Sequence, residues 1–103
     1  MEIKEITGDN FQTEVIEANR PTLLMFYADG CSRCKAQFPI LKKAAEEACD
    51  VTFCKVNAGT EMSLAAAYGV EQVPTMIILN GKQIFQKVTG VRPLEEILGY
   101  LEM

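Results

Sequence analysis

The chain has 103 residues, 49% of them hydrophobic and 23% charged, so one domain over residues 1–103 with one modest core is expected. This composition excludes a disordered or low-complexity chain. Ten basic against fourteen acidic residues, a net charge of −4, make nucleic acid and anionic membrane surfaces poor partners. No apolar run approaches the roughly 20 residues that span a bilayer and no secretory segment is read at the start, so the cytosol is the expected location.

Residues 2–6 alternate weakly, as a short strand does. Asp9 with Gln12 forms a capping-box pattern, and Phe11, Val15 and Ala18 follow at helical spacing, which predicts a helix over residues 10–18. Asn19-Arg20-Pro21 breaks it. The run from Thr22 to Ala28 is almost wholly apolar, as in a strand covered on both faces. From Ser32 to Cys49 the spacing of Cys34, Phe38, Leu41, Ala45 and Ala48 draws one apolar stripe along a helix. Pro39 removes a bond to the Lys35 carbonyl, so a kink is expected there.

Val51 to Val56 reads as the third strand. Thr60 can cap a short helix through about Tyr68, with Gly69 as its stop. Residues 75–79 form another apolar strand, and Asn80-Gly81 marks a tight hairpin into residues 83–88. Pro93 suits the first turn of a last helix carrying Leu94, Ile97, Leu98 and Leu101 on one side. The order βαβαβαββα predicts a three-layer α/β/α sandwich around a central mixed sheet, largely parallel with an antiparallel hairpin at its edge.

The chain has four cysteines, Cys31, Cys34, Cys49 and Cys54, and no histidine. Without an imidazole the Ser-His and Cys-His hydrolases drop out, as do most catalytic zinc sites. Cys31 and Cys34 form a Cys-x-x-Cys pair that follows a buried strand and opens a helix. Free amides and the macrodipole favour an anion at that helix start, so Cys31 is expected to be the more acidic, attacking thiol. Arg33 adds positive charge nearby. Cys34, one turn further in on the apolar stripe, is the sheltered resolving thiol that disulfide exchange requires. Cys49 and Cys54, at a helix end and inside a strand, read as structural thiols.

The sequence resembles the thioredoxin family over essentially its whole length. Phe26 to Lys35 looks like the family's active-site strand and helix start, Pro39 like its helix-kinking proline, and Tyr68 to Thr75 like its cis-proline loop. Gly81 and Gly90 match glycines around the final hairpin. The resemblance implies a thioredoxin fold and a thiol–disulfide oxidoreductase acting on protein disulfides, fed by a thioredoxin-reductase-like or other thiol donor, with no metal or cofactor and as a monomer. It implies that Pro74 is cis and lies against the cysteine pair, that the Val73 backbone holds an extended substrate segment, and that Gly90 lines the same groove. Gly30, Ser32 and Arg33 complete the expected substrate-binding surface.

The sequence also departs from the family. Gly30 stands where Trp is usual, and Ser32-Arg33 replaces Gly-Pro. Met25 aligns with a buried Asp that helps take the proton from the resolving thiol. Lys55 matches the family's lysine near that site and is a candidate aid to proton transfer. Two other readings of the pair stand beside exchange: a metal or iron–sulfur binding module, and a non-catalytic interaction domain.

Overall fold

The computed structural model describes residues 3–102; Glu2, at the start of the first predicted strand, lies outside them. Among the described residues five strands form one mixed sheet in the order β1-β3-β2-β4-β5: β1 Lys4–Ile6, β2 Thr22–Tyr27, β3 Thr52–Asn57, β4 Thr75–Asn80 and β5 Gln83–Thr89. Three α-helices, α1 Ser32–Glu47, α2 Met62–Ala67 and α3 Leu94–Tyr100, and a π-helical turn at Gln12–Ile16 complete the thioredoxin-type α/β arrangement.

The β2 run behaves as its composition demands. Leu23, Leu24, Met25 and Phe26 are all buried, and they alternate between two cores. Leu23 and Met25 face Leu41, Ala44 and Ala45 of α1 and Ile97 of α3. Leu24 and Phe26 face Val15 of the π-helical turn and Ala65 of α2. Each such side chain contributes about 1.5–3 kcal/mol by leaving water. The strand is therefore covered on both faces and paired on both edges, by β3 and by β4.

The sheet is less parallel than the element order predicts. β1, β3 and β2 run parallel, but β4 runs antiparallel to β2 and β5 antiparallel to β4. β4 starts at the end of the sheet where β3 stops and pairs Thr75 with Phe26.

Local chemistry also differs at several ends. The expected helix over residues 10–18 is instead the π-helical turn, without a side-chain cap. The Asp9–Gln12 box does not form: the Asp9 N–H goes to Thr7 Oγ1 at 3.2 Å, and Gln12 Nε2 donates to Glu17 Oε2 at 3.1 Å. Nor does Thr60 cap α2, whose N-cap is Glu61 without a side-chain bond; Asn57 Oδ1 accepts from Gly59 and Thr60 N–H instead. The hairpin turn is Gly81-Lys82, one residue later than expected, since Asn80 still pairs with Gln83. Gly81 has φ +62°, which a first central turn residue of this kind needs. Pro93 is the N-cap of α3 and stands just outside its first turn. α1 runs unbroken through Pro39. Among the described residues no helix is long and apolar enough to cross a membrane.

The two thiols outside the pair occupy opposite environments. Cys54 is fully buried in the α2-side core, and burial pushes its thiol from 9.0 up to about 11. Cys49 is exposed beyond the end of α1. Iodoacetamide at pH 8 is expected to label Cys49 in the native oxidised protein and to reach Cys54 only in denaturant, read by intact mass. Because the folded thiol holds its proton above its ordinary value, its contribution to stability is level below pH 9 and is lost between pH 9 and about 11. A Cys54→Ala variant is expected to lose part of that alkaline slope in denaturation curves.

Candidate active site

β2 delivers the chain to a short loop fixed from β3. The Tyr27 carbonyl accepts from Ala58 N–H at 2.7 Å, and Asn57 Nδ2 donates to Asp29 Oδ1 at 3.4 Å. Gly30 then takes φ +76°. A Cβ there would meet nothing within 4 Å, so it is the left-handed backbone, and not crowding, that suits glycine. Cys31 returns to an extended conformation and caps α1, its Sγ accepting the Cys34 N–H at 3.2 Å. Its carbonyl takes the Lys35 N–H at 3.1 Å.

Cys31 and Cys34 are joined as a disulfide across this first turn, with Cα atoms 5.3 Å apart. Cys34 is 1% exposed and belongs to the α1-side core, whereas Cys31 is half-buried. Ser32 and Arg33 between them are exposed. Amides at the start of a sixteen-residue helix place partial positive charge at the Cys31 sulfur. No carboxylate among the described residues holds Arg33 in an ion pair.

Beneath the pair the sheet is apolar. Met25 is 0% exposed, shares a core with Cys34, and pairs in register with Met76 on β4 and with Lys55 on β3. The buried polar side chains among the described residues are Thr22, Gln37 and Thr75, with no carboxylate. Lys55 is half-buried on β3, its Nζ 3.8 Å from Glu5 Oε1, 5.5 Å from the Phe38 ring centroid and 5.9 Å from that of Tyr27. Tyr27 donates its hydroxyl to Glu5 at 2.9 Å. Burial first, and this bond to a carboxylate second, push the phenol from 10.0 up to about 12, so it stays neutral.

The antiparallel β2–β4 pairing brings the chain after β2 and the chain before β4 to one sheet edge. The Val73–Pro74 peptide bond is cis, and Pro74 is buried. Val73 and Cys31 both pack against the α1-side core. The Pro74 carbonyl accepts from Gly90 N–H at 2.8 Å, which seats Gly90 beside it. Thus Gly30, Cys31, Ser32, Arg33, Cys34, Val73, Pro74 and Gly90 gather at one end of the sheet, while Lys55 is engaged by Glu5.

Gln37 had no signal in the hydrophobic pattern. It is 0% exposed on α1, one turn beyond Cys34. Its Nε2 donates to the Arg92 carbonyl at 3.0 Å and its Oε1 accepts the Arg92 N–H at 2.7 Å. A buried amide left without such partners would cost about 1–3 kcal/mol. No group of three or more His, Cys, Asp or Glu side chains among the described residues could hold a metal ion.

A family model described as Thioredoxin matches residues 2–103. The chain belongs to the thioredoxin family. It is 28% identical over 96 residues to a thioredoxin of Streptomyces clavuligerus, an alignment covering 93% of this chain and 90% of that protein. It is 32% identical over 89 residues to a thioredoxin of Mycobacterium tuberculosis (strain ATCC 25618 / H37Rv), covering 85% of this chain and 77% of the other. A bifunctional thioredoxin reductase/thioredoxin of Mycobacterium leprae (strain TN) is also 32% identical over 89 residues, which are 85% of this chain but 19% of that longer protein. With its cysteine pair closed across a helix turn, this family member is a thiol–disulfide oxidoreductase.

Met25→Asp puts a carboxyl into this apolar floor. Its burial is expected to cost about 3 kcal/mol in urea denaturation at pH 7. Burial raises the folded carboxyl's pKa above the unfolded one, so the loss is small in acid and grows as pH rises from the unfolded value to the folded one. Equal losses at pH 4 and pH 7 would show that the carboxylate reaches water and that the floor is not closed.

Proposed function

We propose that this protein reduces or exchanges protein disulfides with Cys31 as the attacking thiol and Cys34 as the resolving thiol. The observation that carries the assignment is the asymmetry of the pair: a half-buried sulfur receiving an amide N–H at the helix start, and a 1% exposed sulfur one turn inside. The Cys31 thiolate attacks one substrate sulfur; the substrate S–S bond breaks, the other sulfur leaves as a thiolate, and a mixed disulfide forms. Cys34 then gives up its proton and attacks Cys31 Sγ, expelling the second substrate thiolate and closing the Cys31–Cys34 bond. Two electrons have passed to the substrate.

With Met25 where a carboxylate would stand, water takes the Cys34 proton, and the half-buried ammonium of Lys55 aids the transfer by favouring the thiolate. Val73, cis Pro74 and Gly90 form the groove for an extended substrate segment, with Gly30, Ser32 and Arg33 on its other side. A thioredoxin-reductase-like enzyme or another thiol donor reopens the pair. This partner is supported by the M. leprae relative, whose description joins a thioredoxin reductase to a thioredoxin. The protein acts as a monomer in the cytoplasm.

Insulin reduction with dithiothreitol as electron donor tests the roles. Cys31→Ser is expected to abolish it. Cys34→Ser is expected to accumulate mixed disulfides, seen by non-reducing electrophoresis and mass. Trapping by Cys31 in the absence of Cys34 supports the assignment, and faster alkylation of Cys34 than Cys31 in the reduced protein overturns it.

Arg33 and Ser32 set the potential. An exposed positive charge beside Cys31 stabilises the thiolate, hence the reduced form, and so raises the reduction potential. Ser32→Gly with Arg33→Pro, equilibrated against glutathione, is expected to lower it by roughly 10–60 mV, a range limited by solvent screening of the charge. An equal or higher potential in the double variant would sink this role.

A further inference from the structure

Gln37 joins two parts of the molecule that the exchange reaction must keep in register. It stands on α1 three residues after Cys34, on the helix's buried side. Both polar atoms of its amide are used on one residue, Arg92: Nε2 to the carbonyl and Oε1 from the N–H. The reverse orientation of the amide would set donor against donor and acceptor against acceptor. The contact is therefore a two-point clamp between the redox helix and the segment between β5 and α3.

That segment has no regular structure between Gly90 and Pro93, so its position depends on such bonds. Two residues before Arg92, Gly90 donates to the Pro74 carbonyl at 2.8 Å. Arg92 is held from its other side as well, its guanidinium donating to the Thr89 carbonyl at 2.8 Å and to Glu96 Oε2 at 3.1 Å. A continuous path thus runs from Cys34 along one helix turn to Gln37, across to Arg92, and back through Gly90 to cis Pro74.

Resting on the exchange function above, we propose that Gln37 is a positioning residue for protein substrates: it fixes the distance between the cysteine pair and the Pro74–Gly90 wall of the groove. A small disulfide needs only the Cys31 sulfur. A polypeptide disulfide must also lay its backbone along that wall, so it alone senses a displaced wall. Gln37 touches neither substrate nor sulfur.

The test compares insulin with oxidised glutathione as the disulfide, dithiothreitol as donor, in the full chain. Gln37→Met keeps the side-chain volume and removes both bonds. It is expected to raise KM for insulin about five- to tenfold, as the loss of one or two such bonds would. The kcat for insulin and the rate with oxidised glutathione are expected to stay within about twofold of the parent's, and the Cys31–Cys34 potential within about 9 mV, which is twofold by the two-electron relation. Gln37→Glu keeps the acceptor and loses the donor. Its KM ratio to the parent is expected to fall as pH drops from 8 to 6, because a protonated carboxyl can again donate to the Arg92 carbonyl. Unchanged insulin kinetics, parallel losses on both substrates, or a pH-independent Gln37→Glu ratio would each overturn the proposal.

Amide hydrogen exchange on the parent protein tests the clamp without a variant. The Arg92 N–H is expected to be protected like the buried amides of α1, and exchange at the rate of an open loop would overturn it. If the parent reduces neither disulfide, the exchange function fails and the positioning role with it. If the parent reduces both and Gln37→Met matches it, the positioning role alone fails.

Discussion

Everything in this structure hangs on the double-sided burial of β2. Leu23 and Met25 on one face and Leu24 and Phe26 on the other leave the strand no exposed side until Tyr27. Pairing to β3 and β4 removes its free edges as well. A strand fixed on four sides cannot slip in register without exposing one of its two cores. Its end is therefore a fixed point, and the chain that leaves it, through Gly30, carries the redox pair at a defined place. The helix that follows is anchored to the same core by Cys34, Leu41, Ala44 and Ala45. The thiol that must be approached and the thiol that must be hidden are thus separated by a single turn of a helix whose inner face is held still.

The electrostatics of the site are carried by backbone. The described residues place no carboxylate in the buried floor, and the charges nearest in the sheet, Lys55 and Glu5, answer one another and the Tyr27 hydroxyl. The Cys34 amide, the other free amides of the first turn and the exposed charge of Arg33 act on Cys31. A backbone donor is already oriented and does not depend on pH, whereas an exposed charge is screened by salt. Thiolate stabilisation by the helix is then a fixed contribution, and the Ser32-Arg33 pair is the adjustable one.

Much of this was legible in the chain, and the failures share a cause. The apolar run at residues 22–28, the Cys-x-x-Cys after it and the loop before Thr75 each declare themselves within a few residues, and each stands where expected. So does Gly69, with φ +65° at the end of α2. Spacing misleads where neighbouring groups bond in other ways. Asp9 and Thr60 stand at cap spacing, but the Asp9 N–H goes to Thr7 Oγ1 and the Thr60 hydroxyl donates to the Asn57 carbonyl. The direction of β4 is set by its antiparallel pairing with β2, and an apolar run reads the same in either direction. Gln37 was invisible because a stripe of hydrophobic residues skips a polar one. Its partner lies 55 residues away and is backbone, which leaves no mark in side-chain composition.

That last case bears on how such a small protein can be both rigid and reactive. Backbone segments without regular structure, here Gly90 to Pro93, must have those polar groups satisfied that they turn away from water. Sheet and helix bonds cannot do this for a loop that turns away from β5 before α3 begins. A side-chain amide can, because it presents an N–H donor and a carbonyl acceptor side by side. Placing that amide on α1 satisfies the loop from the same element that bears the thiols, so the loop takes its position from the helix. Tyr100 and Arg92, both bonded to Glu96, close the other side of the loop against α3. The exposed part of the site, Gly30, Ser32 and Arg33, is free of such ties and can vary in sequence and charge. The buried part, Cys34, Gln37 and Pro74, is held by the core, by Arg92 and by Gly90, so a change there disturbs a contact that the fold uses.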